Sequence, residues 1–205
     1  MTATVLLVHG SRHPKAVEGI QQLTQAVSRR TKAPIYASYL DFHEDTLPVI
    51  CRKIARAGYD SAQVVPLLFT DAYHHRVDVP EIISSCDLPI SLRPHLGTGP
   101  EIAELLARRV PAGAQPVVYA VGSSDEAANV SVEKLAATIG GTAVFATRRG
   151  GRLPSGRVHV VPLFVTHGLL LDALVKNHPP SADISYSPPL ITELTEVIRR
   201  RMQCS

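Results

Sequence analysis

The chain has 205 residues, 45% of them apolar, enough to bury a substantial core as one large domain or two small ones. Its formal charge of +3 is the balance of 21 basic and 18 acidic residues spread along the sequence, and aromatics are only 5% with no Trp; a nucleic-acid binder with a basic stripe or stacking platforms is excluded. Cys51, Cys86 and Cys204 are odd in number, far apart and in no C-x-x-C spacing, so neither a disulfide framework nor a thiolate metal site is indicated. The N-terminus lacks a basic n-region, and the apolar stretch at 163–175 contains His167 and Asp172 and is too short to span a bilayer, so a cytoplasmic protein without a membrane partner is expected.

In chain order, residues 4–8 form a continuous apolar run that His9 and Gly10 end. Val17, Ile20, Leu23 and Val27 then recur at helical spacing over about 15–30, which predicts strand, turn, helix. Residues 35–40 predict a second strand, and after a loop the pattern Val49, Ile50, Ile54, Ala57 predicts a helix that Gly58 stops. A buried-type strand at 63–69, a helix at 80–85, a strand at 89–93 and a helix at 100–109 follow. This alternation argues for α/β architecture, a parallel sheet covered on both faces.

The plan then repeats, visibly in the letters. VVPLLFTDA at 64–72 matches VVPLFVTHG at 160–168, pairing Pro66 with Pro162 and Thr70 with Thr166. EIAELLARR at 101–109 matches ELTEVIRRR at 193–201, and the turn after the first strand aligns Gly10 with Gly122 and Ser11 with Ser123. The expectation is an internal duplication into two similar parallel-sheet α/β domains, 1–112 and 113–205, in a monomer of pseudo-twofold symmetry. In the second copy the helix between strands two and three is replaced by ATRRGGRLPSGR, too rich in Gly, Pro and Arg to be helical. That trimming places the chemistry in the first half.

In an open parallel sheet, ligands bind beyond the carboxyl ends of the strands. Of the nine histidines, His9 ends the first strand, His74 lies just past the third, and His167 is near the matching place in the second copy; Asp41 and Glu44 follow the second strand. Two neutral imidazoles and a carboxylate make a ligand set suited to iron, cobalt, nickel or zinc, and the imidazoles can also accept protons. His13, His43, His75, His95, His159 and His178 read as surface or satisfied core. The positions aligned with His9 and His74 are Val121 and Leu170, which bind no metal, so one site per chain is expected. No G-x-S-x-G elbow, P-loop or G-x-G-x-x-G fingerprint supports hydrolase or nucleotide chemistry.

The strings LLVHGSRHPKA, SYLDFHEDTLP and VVPLLFTDAYHHRVDVPE, in this order and spacing, resemble the small chelatases of the CbiX and SirB type. The resemblance implies a chelatase-like fold and insertion of a divalent metal, Fe2+, into sirohydrochlorin to give siroheme, with the metal as substrate and no tightly bound cofactor. The alternatives are Co2+ or Ni2+ insertion into a related tetrapyrrole, or metal or tetrapyrrole binding without catalysis. It further implies that His9 and His74 handle the metal and accept the pyrrole protons. The family's Glu aligns with Asp41, with Glu44 a helical-turn distance further on, and either serves as the working carboxylate. Ser11, Arg12, Arg76 and the loop arginines Arg148, Arg149 and Arg152 are expected to bind the substrate, the guanidinium fork suiting its rim carboxylates.

Overall fold

The computed structural model describes residues 1–70, 79–148 and 152–204. Among the expected site residues, His74, Arg76 and Arg149 lie outside the described residues.

The chain forms two compact units, each built on a four-stranded, wholly parallel sheet. In the first, β1 (Thr2–Val8), β2 (Ile35–Tyr39), β3 (Ser61–Pro66) and β4 (Ile90–Leu92) lie in the order β2-β1-β3-β4. In the second, β5 (Gln115–Ala120), β6 (Thr142–Phe145), β7 (Val158–Pro162) and β8 (Ile184–Tyr186) repeat that order as β6-β5-β7-β8. The duplication extends to single bonds at the strand ends. Leu40 N donates to Val8 O at 2.9 Å and Ala146 N to Ala120 O at 2.9 Å; Leu67 N donates to Leu7 O at 2.7 Å and Leu163 N to Tyr119 O at 2.8 Å.

Strand pleating divides each core in two. On one face of the first sheet, Ala3, Val5 and Leu7 of β1 pack with Leu47, Ile50, Cys51 and Ile54 of α2 (Leu47–Arg56) and with Val79 of α3 (Val79–Ser84). Leu6 and Val8 point to the opposite face, where α1 (Ala16–Thr31) buries the predicted stripe Ile20, Leu23 and Val27. In the second unit, Val117, Tyr119, Val158 and Val160 pack with Leu171 and Leu174 of α6 (Leu169–Asn177), and Leu153 of the irregular β6–β7 connection lies against this cluster. No helix occurs among the described residues of that connection, as its Gly, Pro and Arg content predicts.

The packing units do not coincide with the sequence halves 1–112 and 113–205. The first unit comprises Met1–Gly97 and Ile191–Ser205, and the second Thr98–Leu190. The helix α4 (Pro100–Ala107), which ends the first repeat, packs with α5 (Glu126–Thr138) of the second. The 3-10 turn Ile191–Leu194 and the last helix, α7 (Thr195–Gln203), pack on α1. Arg201 fastens α7 there, donating from Nε to His95 O at 2.8 Å and from a terminal nitrogen to Leu96 O at 2.6 Å. The two matching strings EIAELLARR and ELTEVIRRR are therefore exchanged terminal helices. β3 also ends at Pro66, short of the expected Phe69, because its partner β1 ends at Val8 and leaves no ladder beyond the Leu7–Pro66 pair.

Candidate functional site

The first-unit site grows from the turn that follows β1. Asp41 N donates to His9 O at 2.8 Å, so the end of β2 is stitched directly to the end of β1. Gly10 makes this approach possible: its φ is +99°, and a Cβ there would lie 2.0 Å from Asp41 O. Only glycine combines that dihedral with that proximity. Asp41 is thereby held beside the half-buried His9, with its own carboxylate exposed, and Glu44 is exposed further along the same loop.

Three imidazoles stand close to this edge, and their hydrogen bonds separate them. His13 Nδ1 accepts from Lys15 N at 3.0 Å, at the entry to α1. Asp125 Oδ1 accepts from Ala127 N at 3.0 Å at the entry to α5, so His13 fills the helix-entry role that a carboxylate fills in the second copy. His43 Nδ1 accepts from Asp45 N at 3.0 Å while its ring stacks on Tyr39 at 4.2 Å. An Nδ1 that accepts leaves the neutral ring's proton on Nε2, the wrong tautomer for an Nε2 metal ligand. His9 differs. Its Nδ1 lies 3.4 Å from Gly10 O, and since a carbonyl only accepts, this contact suits the tautomer with the proton on Nδ1 and the lone pair on Nε2.

The other candidates divide in the same way. Ser11 Oγ accepts from His13 N at 3.1 Å, and Ser123 Oγ makes the matching bond to Asp125 N at 3.0 Å; the hydroxyl thus closes the turn in both copies. Arg12 is exposed, with its guanidinium carbon 4.7 Å from the centroid of the Phe42 ring. Arg148 pairs with Glu126 at 3.0 Å and Arg152 is exposed, both in the second unit. His167 is half-buried there, while Val121 and Leu170, aligned with His9 and His74, are exposed. Among the described residues no group of three or more His, Cys, Asp or Glu side chains is arranged to hold a metal ion. The sequence reading missed Phe42, whose ring lies 6.4 Å from that of His9; its only signal was one aromatic in the otherwise polar run DFHED.

His159, read from the sequence as surface or satisfied core, is buried and bonded on both nitrogens, to Ser185 Oγ and Ser187 Oγ, each at 2.8 Å. Burial holds its pKa below the ordinary 6.5, and the charge of Arg109 adds to that. No helix among the described residues is long and apolar enough to cross a membrane.

Similarity to known proteins agrees with this geometry. The model of the CbiX family matches residues 3–112. The sirohydrochlorin cobaltochelatase of Methanocaldococcus jannaschii is 32% identical over 84 residues, 40% of this chain and 59% of that protein, so the match spans about three-fifths of the relative's length. That of Sulfurisphaera tokodaii is 26% identical over 111 residues, 54% of this chain and 92% of the relative. Among solved structures, SirB from Bacillus subtilis with Fe3+ is 20% identical with a TM-score of 0.76, covering 98% of this chain and 94% of that one. The multi-domain DR2241 of Deinococcus radiodurans is 18% identical with a TM-score of 0.69, covering 98% of this chain and 54% of that one. These structural likenesses carry the two-unit α/β fold, and the family match spans the strand-end turn that presents His9. With more than half its length matched by one family model, and with that family's fold, the chain belongs to the CbiX family.

Proposed function

We propose that this chain is a sirohydrochlorin chelatase that inserts a divalent metal, ferrous iron, into the tetrapyrrole to give siroheme. The observation that carries the reading is His9, which follows β1 beside Asp41 and whose Nδ1 contact with the Gly10 carbonyl suits the tautomer with its lone pair on Nε2. Insertion exchanges two pyrrole N–H protons for one M2+, so the site needs a weakly held metal and a base at the ring centre. His9 and His74 supply both, as neutral ligands first and proton acceptors after transfer. Asp41 or Glu44 holds the metal's water or orients a histidine. Ser11, Arg12, Arg76, Arg148, Arg149 and Arg152 receive the substrate's polar rim.

The names of the sequence relatives favour a second reading, cobalt as the metal. Imidazole and carboxylate accept both metals, and affinity follows the metal more than the site. A competition assay with sirohydrochlorin, Fe2+ and Co2+, followed by visible spectroscopy, decides between them. Product beyond one equivalent per chain establishes catalysis; a shift that stops at one equivalent reduces the protein to a tetrapyrrole or metal carrier.

A further inference from the structure

We propose that Phe42 is the stacking platform for the flat face of the tetrapyrrole, an inference that rests on the chelatase reading above. Two unfavourable features coincide at this residue. Its φ is +61°, in the left-handed region where Gly, Asn and Asp are at ease and a bulky side chain is an outlier. Its ring is also 53% exposed, among the largest apolar exposures of the described residues, and it belongs to neither apolar core cluster described above. Packing therefore does not explain why a phenyl ring is held in water on a strained backbone, and strain of this kind concentrates where a ligand is gripped.

What surrounds the ring specifies the ligand. The His9 ring is 6.4 Å away and tilted by 33°, and the Arg12 guanidinium carbon lies 4.7 Å from the centroid. One apolar plane, one imidazole with a lone-pair nitrogen and one fixed cation, side by side, match a conjugated macrocycle with carboxylates on its rim. A pyrrole ring resting on Phe42 brings the central nitrogens beside His9 and a rim carboxylate within reach of Arg12. Phe42 is a positioning residue: it takes no proton and binds no metal, but it fixes the plane in which the metal must enter. Phe42 directly follows Asp41, the residue stitched to His9, so the strained backbone and the metal-handling imidazole belong to one turn.

The test uses the full chain with Phe42→Ala, Phe42→Gly and Phe42→Tyr, reading the Kd for metal-free sirohydrochlorin from its own absorbance, the Kd for Co2+ alone, and the thermal midpoint. Loss of a stacking partner is expected to weaken sirohydrochlorin binding about tenfold in the Ala and Gly variants. Phe42→Tyr, which keeps the plane, retains the affinity, and Co2+ binding is unchanged in all three. Phe42→Gly melts at or above the parent temperature because the strained φ is relieved. Unchanged sirohydrochlorin affinity in Phe42→Ala, with binding by the parent chain, overturns the platform alone. A lowered midpoint in Phe42→Gly makes Phe42 a packing residue and also overturns it. Absence of sirohydrochlorin binding by the parent overturns the chelatase reading together with the platform.

Discussion

Gly10 and Asp41 are in backbone contact: the carbonyl oxygen of Asp41 occupies the place, 2.0 Å away, where any side chain at position 10 would begin. Gly10→Ala is expected to displace the Asp41–Phe42 segment and remove chelatase activity, with a thermal midpoint lowered by more than the dihedral alone explains. Gly58→Ala is the control, since Gly58 has a φ of +88° but nothing within 4 Å of a Cβ. Its cost is the left-handed strain only, about 1–2 kcal/mol, or a midpoint shift of roughly 2–8 °C at this size. Equal shifts in the two variants, measured by thermal denaturation, would show that the contact contributes nothing.

His9→Ala and His74→Ala are each expected to abolish metal insertion while leaving the far-ultraviolet dichroism unchanged. His167→Ala retains most activity, because the positions aligned with His9 and His74 in the second copy are Val121 and Leu170, whose side chains bind no metal. Titration with Co2+ saturates at one equivalent per chain. Two equivalents of comparable affinity, or a loss in His167→Ala as deep as in His74→Ala, would sink the single-site reading.

Recognition of the rim is expected to be electrostatic. Arg12→Gln raises the apparent substrate constant more than it lowers turnover, and added salt raises that constant in the parent chain. Arg148→Gln has the smaller effect, because Arg148 is already paired with Glu126 at 3.0 Å. A substrate constant that is indifferent to both substitution and salt assigns these cations to solubility.

The pH dependence of stability centres on His159. Its folded pKa lies below the ordinary 6.5 through burial and the charge of Arg109, so protonation is disfavoured in the fold. The stability this gives is complete above 6.5 and is lost as pH falls through the lowered folded value. The thermal midpoint should therefore fall on acidification, and less so in His159→Gln. Glutamine is chosen because Gln63 holds the corresponding strand position in the first unit, where it bonds Thr4 at 2.8 Å and Arg93 at 2.9 Å. Parallel midpoint curves for the two chains would remove His159 from the account.

The sequence by itself determined the repeat, the order of strands and helices, and the strand-end position of His9. These are short-range facts. A period of two or 3.6 residues records which side of an element is apolar, and a glycine after an apolar run records where the chain must turn. The helix boundaries of α1 and α3 come within one residue of expectation for that reason. Which apolar side meets which is a different question. α4 and α7 carry matching patterns, and nothing local tells either helix to pack on the first helix of the other copy rather than of its own; only the apolar faces of α1 and α5 decide that. Strand-end position set His9 apart from His13 and His43 in the sequence, but what each ring bonds was hidden there. Which backbone group reaches each Nδ1 is set by the dihedrals of the turns, and with it the tautomer that each contact suits. Phe42 is the sharpest case. As a letter it is one more apolar residue, and only the folded chain puts it at φ +61°, directly after the Asp41 that contacts Gly10, with its ring exposed near His9.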